Sequence, residues 1–412
     1  MSRQAPPQRA NLPDSAPSQS HVVRRICFSA SLLALASVLL VGAAAGGTSP
    51  VPDAAFPGKT GFLAECGEYE KQQRQFDCYA RRLLAIVEHS GDPARELPRI
   101  DGKVHHAGGF LEAACHSLMH VVGRAWARRH HLTLEDFNRY VPRSNDPGCS
   151  AGFGMGLVMY LGTRLVLEPR SVLSSCTRLP TRFREYTCIH GTGHALMRGY
   201  HGQLTGAVRS CSKLGSRFAP DCAQGAFHDY WISLSGGDGT TRPEGAETDP
   251  KVVCGLYAYP RPCWYRFFWE RMPGTRVYQA ADITRLCTDL RDAQRRGCIA
   301  GASLSMSRTR EAVEHARTCA VLGGADAISC IRGVVVPAVA NRPSEQRRLI
   351  RTCAAFPKQA RSQCYAWFGR TLAVVTDGRF LRNGCPRLYP LHARNSCVAG
   401  ARRMQDALAT FS

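Results

Sequence analysis

The sequence predicts an all-α chain: a solenoid of αα-hairpins, each about 34 residues long and each stapled by a local disulfide. Three observations predict it. Eighteen of the 19 cysteines fall into nine consecutive pairs, most of them separated by ten or eleven residues. From Cys188 onward the second cysteines follow one another at 34, 41, 35, 32, 34 and 33 residues. The stretches between pairs have helical periodicity and are rich in Ala, Arg and Leu, which gives strands little support.

Taken from the N-terminus, residues 1–25 are polar, Pro/Ser-rich and end in Arg24-Arg25. They read as a cytoplasmic flank. Residues 26–46 are apolar and close on Ala43-Ala44-Ala45, the parts of a secretory signal. The run is also long enough to span a bilayer. A cleaved signal peptide and a retained signal-anchor helix therefore both stand. Either places the rest of the chain outside the cytoplasm, because the positive flank stays inside. A twin-arginine signal fits poorly, since Ile26-Cys27 follows the arginines. Residues 47–59 form a linker.

The body divides into a His-rich helical half (60–235), an inserted loop (236–251) and a Cys-rich helical half (252–412). Hydrophobic content of 44% with 21% charged residues excludes wholesale disorder. Without residues 1–46 the chain keeps 49 basic and 31 acidic side chains, a net charge of +18. That charge suits an acidic protein or an anionic surface such as phospholipid headgroups. A nucleic-acid partner is not expected, because no recognised binding motif is present.

The predicted disulfides join Cys66 to Cys78, Cys115 to Cys149, Cys176 to Cys188, Cys211 to Cys222 and Cys254 to Cys263. They continue with Cys287 to Cys298, Cys319 to Cys330, Cys353 to Cys364 and Cys385 to Cys397. An even count in an exported chain argues for disulfides over free thiols. No CxxC occurs, which excludes the common zinc-ribbon and thioredoxin-type motifs, and no CxxCH marks a covalent haem. Each staple would tie the end of one helix to the start of the next. A loop of about 12 residues closed this way is worth on the order of 3 kcal/mol. Six second cysteines carry Gly three residues later: Gly152, Gly191, Gly225, Gly301, Gly333 and Gly400. A glycine one turn into the second helix permits close helix–helix approach. By period and staple, residues 60–412 resemble the secreted, cysteine-stapled relatives of the tetratricopeptide repeat, although no tetratricopeptide-type consensus is matched. The resemblance implies stacked helical pairs and no particular activity.

Ten of the 14 histidines lie between His105 and His228. At their centre are two HxxxH pairs, His116/His120 and His190/His194, whose spacing places both rings on one helical face, as metal chelation requires. His194 and His228 each follow a second cysteine by six residues, as does Met155. Stacked second helices would line these three residues along one surface. The expected ligands are His116, His120, His190 and His194, with His228 and Met155 completing or flanking the site. Glu112 and Asp229 are expected as ligands or as second-layer partners that orient a ring. The cofactor is a transition metal (Cu, Zn or Fe) or haem. Neither pair is HExxH, so the general base of that peptidase class is missing. Metal-free acid–base chemistry and a non-enzymatic interaction scaffold with a structural His cluster are the competing readings. The adjacent doublets His105-His106 and His130-His131 point different ways on a helix and are peripheral.

Other motifs are weaker. Gly148-Cys149-Ser150-Ala151-Gly152 spells G-x-S-x-G but lacks the preceding strand of a nucleophile elbow. The aromatic block Cys263–Trp269 reads as core filling. No G-x-G-x-x-G or complete P-loop is present.

Overall fold

The computed structural model describes residues 61–133, 136–141, 148–164, 169–233, 245–271, 279–304, 306, 312–341, 346–376, 384–388 and 390–403. The targeting segment, the linker and most of the inserted loop (236–244) lie outside these residues. The described residues all belong to one compact unit within Gly46–Ser412. They hold nineteen α-helices, one 3-10 turn and no strand. None of these helices is long and apolar enough to cross a membrane.

The helices are α1 (Ala64–Gly67), α2 (Gln72–Ser90), α3 (Pro93–Ala107), α4 (Gly109–Arg129), α5 (Phe137–Tyr140) and α6 (Cys149–Arg164). There follow α7 (Pro169–Cys176), α8 (Arg182–Gly199), α9 (Leu204–Ser212), α10 (Ala219–Ser233), α11 (Pro250–Gly255) and α12 (Pro260–Arg271). The rest are α13 (Ala280–Cys287), α14 (Asp292–Ser303), α15 (Ala312–Leu322), α16 (Gly324–Asn341), α17 (Gln346–Ala355), α18 (Lys358–Val375) and α19 (Leu391–Arg402). From α7 to α18, a short helix alternates with a longer one.

Each short helix in that run packs on the longer helix that follows it. The longer helices then stack in file: α4 on α6, then α8, α10, α12, α14, α16, α18 and α19.

All nine consecutive cysteine pairs are disulfide-bonded as the spacing predicts. At the N-terminal end Cys66–Cys78 ties α1 to α2. Along the array Cys176–Cys188, Cys211–Cys222, Cys254–Cys263, Cys287–Cys298, Cys319–Cys330 and Cys353–Cys364 each tie a short helix to its long partner. At the C-terminal end Cys385–Cys397 departs from the expected helix-to-helix staple. Cys385 opens a 3-10 turn, Cys385–Arg387, and the bond fastens that turn to α19. The proline at its second position, Pro386, removes a backbone donor, and the segment continues as a turn instead of a helix. The wide pair, Cys115–Cys149, joins the two successive long helices α4 and α6. Helix α18 also reaches back to touch α8, so the file curves toward itself.

What lets the long helices stack so closely is the Cys-x-x-Gly signature. A Cβ on Gly152 would sit 2.2 Å from the carbonyl oxygen of His116. On Gly225 it would sit 1.9 Å from that of His190, on Gly333 2.0 Å from that of Ala300, and on Gly400 2.0 Å from that of Ala366. The glycines thus lay backbone directly on backbone. Large apolar side chains such as Trp126, Phe153, Phe227, Trp231, Phe356 and Phe368 are buried in one continuous core cluster.

Of the aromatic block, Trp264 and Phe268 are buried core residues, whereas Arg266 and Glu270, one helical turn apart, form an ion pair at 3.6 Å. Ser150 is not poised as a nucleophile. Its backbone N–H and its hydroxyl both donate to the carboxylate of Asp101 at the start of α6.

Gly225→Ala is expected to destabilise the fold by about 1–3 kcal/mol, the usual cost of overpacking. Gly255→Ala, where an added Cβ meets nothing within 4 Å, is expected to be neutral or slightly stabilising. Urea unfolding midpoints of the two variants, with disulfides intact, check the contrast.

Candidate metal centre

Three long helices of the file, α4, α8 and α10, bring five histidines together, with α6 packed between α4 and α8. Helix α4 supplies His116 and His120, α8 supplies His190 and His194, and α10 supplies His228. Helix α8 begins at Thr181, whose hydroxyl caps it by accepting from the Arg184 N–H. Its long buried run follows from having long helices on both sides, α6 and α10. The Gly225 contact on His190 then sets the α8–α10 spacing at the level of the histidines.

The rings are crowded. His120 lies 4.7 Å from His116 and 4.9 Å from His194, centroid to centroid. His228 lies 4.6 Å from His194, 5.7 Å from His190 and 6.1 Å from His116. His120, His190, His194 and His228 are buried, and His116 is half-buried with Nδ1 3.2 Å from the Gly148 carbonyl oxygen.

Only part of this cluster converges as donors. His190, His194 and His228 each offer one ring nitrogen within 4.8 Å of the other two. His190 Nε2 and His228 Nδ1 are 3.4 Å apart. Tetrahedral ligands at about 2.1 Å from a zinc ion stand about 3.4 Å apart, so this pair already has the spacing of two ligands of one ion.

The remaining nitrogens have orienting partners. His194 Nδ1 donates to Asp229 Oδ1 at 3.1 Å, which leaves Nε2 with its lone pair. His228 Nε2 stands 2.9 Å from Glu270 Oε1, on the opposite side of the ring from Nδ1. His190 Nδ1 stands 3.5 Å from the Tyr186 hydroxyl, which itself donates to Gln224 Oε1 at 2.5 Å. Carboxylate-backed imidazoles of this kind are the common outer layer of metal sites.

The electrostatics favour neutral rings. Burial holds His190 and His228 well below the ordinary value of 6.5. The Arg266 charge and the neighbouring histidines add to the effect. Burial likewise pushes the Tyr186 phenol above its usual range, so it stays a neutral hydroxyl. A neutral imidazole is the form that binds metal. Arg266 Nη2 also lies 3.3 Å from His190 Nε2, on the side from which an ion would be bound.

The structure redistributes the residues expected from sequence. His228, expected to flank the site, belongs to the converging group, while His116 and His120 form a second rank around it. Asp229 sits at the site, fully buried. Glu112 does not. It lies in the exposed first turn of α4 and pairs with the exposed His105 at 2.7 Å. Met155 is buried on α6, and what it presents to α8 is backbone: its Cα meets a Cβ built on Gly191 at 3.1 Å. His106, His130 and His131 are exposed.

Sequence reasoning missed Arg266, Glu270, Tyr186 and Gln224. A signal for two of them was present in the cysteine register. Tyr186 lies two residues before Cys188, His190 two after it and Gln224 two after Cys222, all on the face that carries His194 and His228.

A pH dependence follows from the depressed histidines. Below about pH 6.5 the unfolded chain takes up protons that folded His190 and His228 refuse. Stability from this source is complete above that pH and is lost as the pH falls, by up to about 1.4 kcal/mol per pH unit for each ring. Thermal unfolding in the presence of a chelator is expected to show a midpoint that drops below pH 6.5. The slope is expected to be shallower in His228→Gln.

No protein-family model matches this chain, no curated protein resembles it in sequence and no solved structure matches its fold, so the functional reading rests on this geometry.

Proposed function

We propose that this is an extracytoplasmic, disulfide-stapled helical-repeat metalloprotein that binds one transition-metal ion on His190, His194 and His228. The observation that carries the proposal is the convergence of three buried ring nitrogens within 4.8 Å, with the buried Asp229 behind His194 and the half-buried Glu270 behind His228. Three histidines leave a fourth coordination position for water or a substrate atom, the pattern of catalytic rather than closed structural sites. Glu270, 2.9 Å from His228 Nε2, stands behind that ring and fixes its orientation, with Nδ1 turned toward the other two donors.

Imidazole donors suit Zn, Cu or Fe. The 3.4 Å between His190 Nε2 and His228 Nδ1 is too short for a porphyrin plane to lie between these two nitrogens, which favours a bare ion over haem. Nine disulfides fit folding in an oxidising compartment, and residues 26–46 supply the export signal or anchor in this reading. The short-helix/long-helix alternation supports a solenoid, whose basic surface suits an acidic partner or an anionic membrane face.

The Arg266 guanidinium beside His190 favours one competing reading, a metal-free buried polar network inside an interaction scaffold. Elemental analysis by plasma mass spectrometry separates the two. The protein, purified from an oxidising compartment without a polyhistidine tag, is expected to carry close to one zinc, copper or iron per chain. His190→Ala/His194→Ala is expected to reduce that at least tenfold while the disulfides and helical content persist. Metal-free wild-type protein after reconstitution, or unchanged metal in the double variant, overturns the assignment.

A further inference from the structure

The face that carries histidines in α8 and α10 continues through the later helices with a different chemistry. Relative to each second cysteine, positions two before, two after and six after lie one helical turn apart, on one side of the helix. In α8 these positions are Tyr186, His190 and His194. In the later long helices the same side carries Arg261 and Tyr265 (α12), Arg296 (α14), Arg332 (α16) and Arg370 (α18). Four arginines on four successive long helices thus share this face: Arg332 stands in the register of His190 and Arg370 in that of His194, whereas Arg261 and Arg296 stand in that of Tyr186.

The structure brings several of them together. The Arg332 guanidinium lies 5.2 Å from the centroid of the Trp367 ring, and that of Arg370 lies 4.8 Å from the same ring. Arg261 and Arg370 act electrostatically on Arg332, and Arg296 acts on Arg261. Burial together with these like charges pushes the Arg332 guanidinium down to about 9. Holding like charges together in a desolvated place is costly, and an anion that binds between them relieves the cost. On the side of the histidines, Arg266 lies 5.6 Å from the Tyr265 ring centroid and 3.3 Å from His190 Nε2, so Tyr265 stands next to the histidine centre on the arginine-bearing face. The approach of α18 to α8 draws the two ends of this face toward each other.

We propose that Arg332 and Arg370, whose guanidiniums share the Trp367 ring, bind an oxyanion, a phosphate or carboxylate group, of the ligand that the histidine centre handles, with the Arg261 charge in support. The guanidinium fork suits either group, because both present paired oxygens to parallel N–H donors. The link to the metal rests on the reading given under Proposed function, whereas the anion site itself stands on the arginines.

The test uses the full chain, with inorganic phosphate and acetate as separate probes at constant ionic strength set with chloride. Calorimetric titration is expected to show saturable binding of at least one probe, and the tighter of the two names the group. Arg332→Gln and Arg370→Gln are each expected to weaken that binding at least tenfold. Arg332→Lys, which keeps the charge but loses the fork, is expected to fall between them and the wild type. If Arg332→Gln does not fold by circular dichroism, Arg370→Gln, at a half-buried position, carries the test. His190→Ala/His194→Ala is expected to keep anion binding within twofold. Intact anion binding in a protein that never holds metal would therefore overturn the metal reading and leave the anion site standing. No saturable binding of either probe by the wild type, or binding unchanged in both glutamine variants, overturns the anion site.

Discussion

Backbone lying on backbone is the constraint on which the rest of this molecule depends. Six glycines, each three residues after a cysteine, remove the side chain where one long helix crosses the next. At Gly152, Gly225, Gly333 and Gly400 the space is so tight that a single methyl group would stand within 2.2 Å of a carbonyl oxygen. The disulfide three residues earlier pins the same turn of helix to a second segment. One short sequence signature therefore fixes a helix on two sides at once. Close stacking is also what allows side chains as short as imidazole to meet across three helices. With ordinary side chains in the glycine positions the helices would stand further apart, and His190 and His228 would no longer approach to 3.4 Å.

A face positioned this closely can carry chemistry because its period is fixed. Positions one turn apart recur on every long helix, so one surface runs through the array. Its early part carries neutral donors, and its later part carries permanent cations. Burial pushes both groups the same way, toward the neutral form, with different results. It holds His190 and His228 neutral, the form that can bind a metal, whereas Arg332 is only drawn down to about 9 beside its like-charged neighbours. Arg266 and Glu270 stand where the two regimes meet. Each touches a histidine, and they touch each other.

Much of this was legible in the sequence, for identifiable reasons. The helical class and the local staples, from Cys66–Cys78 to Cys385–Cys397, followed from cysteine spacing and helical periodicity, both short-range signals. The meeting of His194 with His228 followed from their common distance from a cysteine. What could not be read was which neighbours the stacking of the helices would add. Arg266 and Glu270 sit in an aromatic block whose other residues do fill the core, and only the path of α12 past α10 turns that pair toward the histidines. Glu112 is one turn from His116 in sequence, but α4 begins only three residues earlier, so the carboxylate ends up in an exposed turn beside His105. A spacing rule knows the helix face and not where the helix starts.

The placement of the covalent bonds has a mechanical consequence. All but one of the nine disulfides join cysteines 9 to 12 residues apart, so each crosslink stays within a hairpin or between adjoining short segments. A pulling force along the chain meets no covalent barrier between successive hairpins there, and it would peel the array one unit at a time while withholding about 30–40 Å of contour length per staple. The exception is Cys115–Cys149, which bridges two successive long helices and shields a span of 34 residues from tension. The end of the array that holds His116 and His120 is thus the end that stretching opens least.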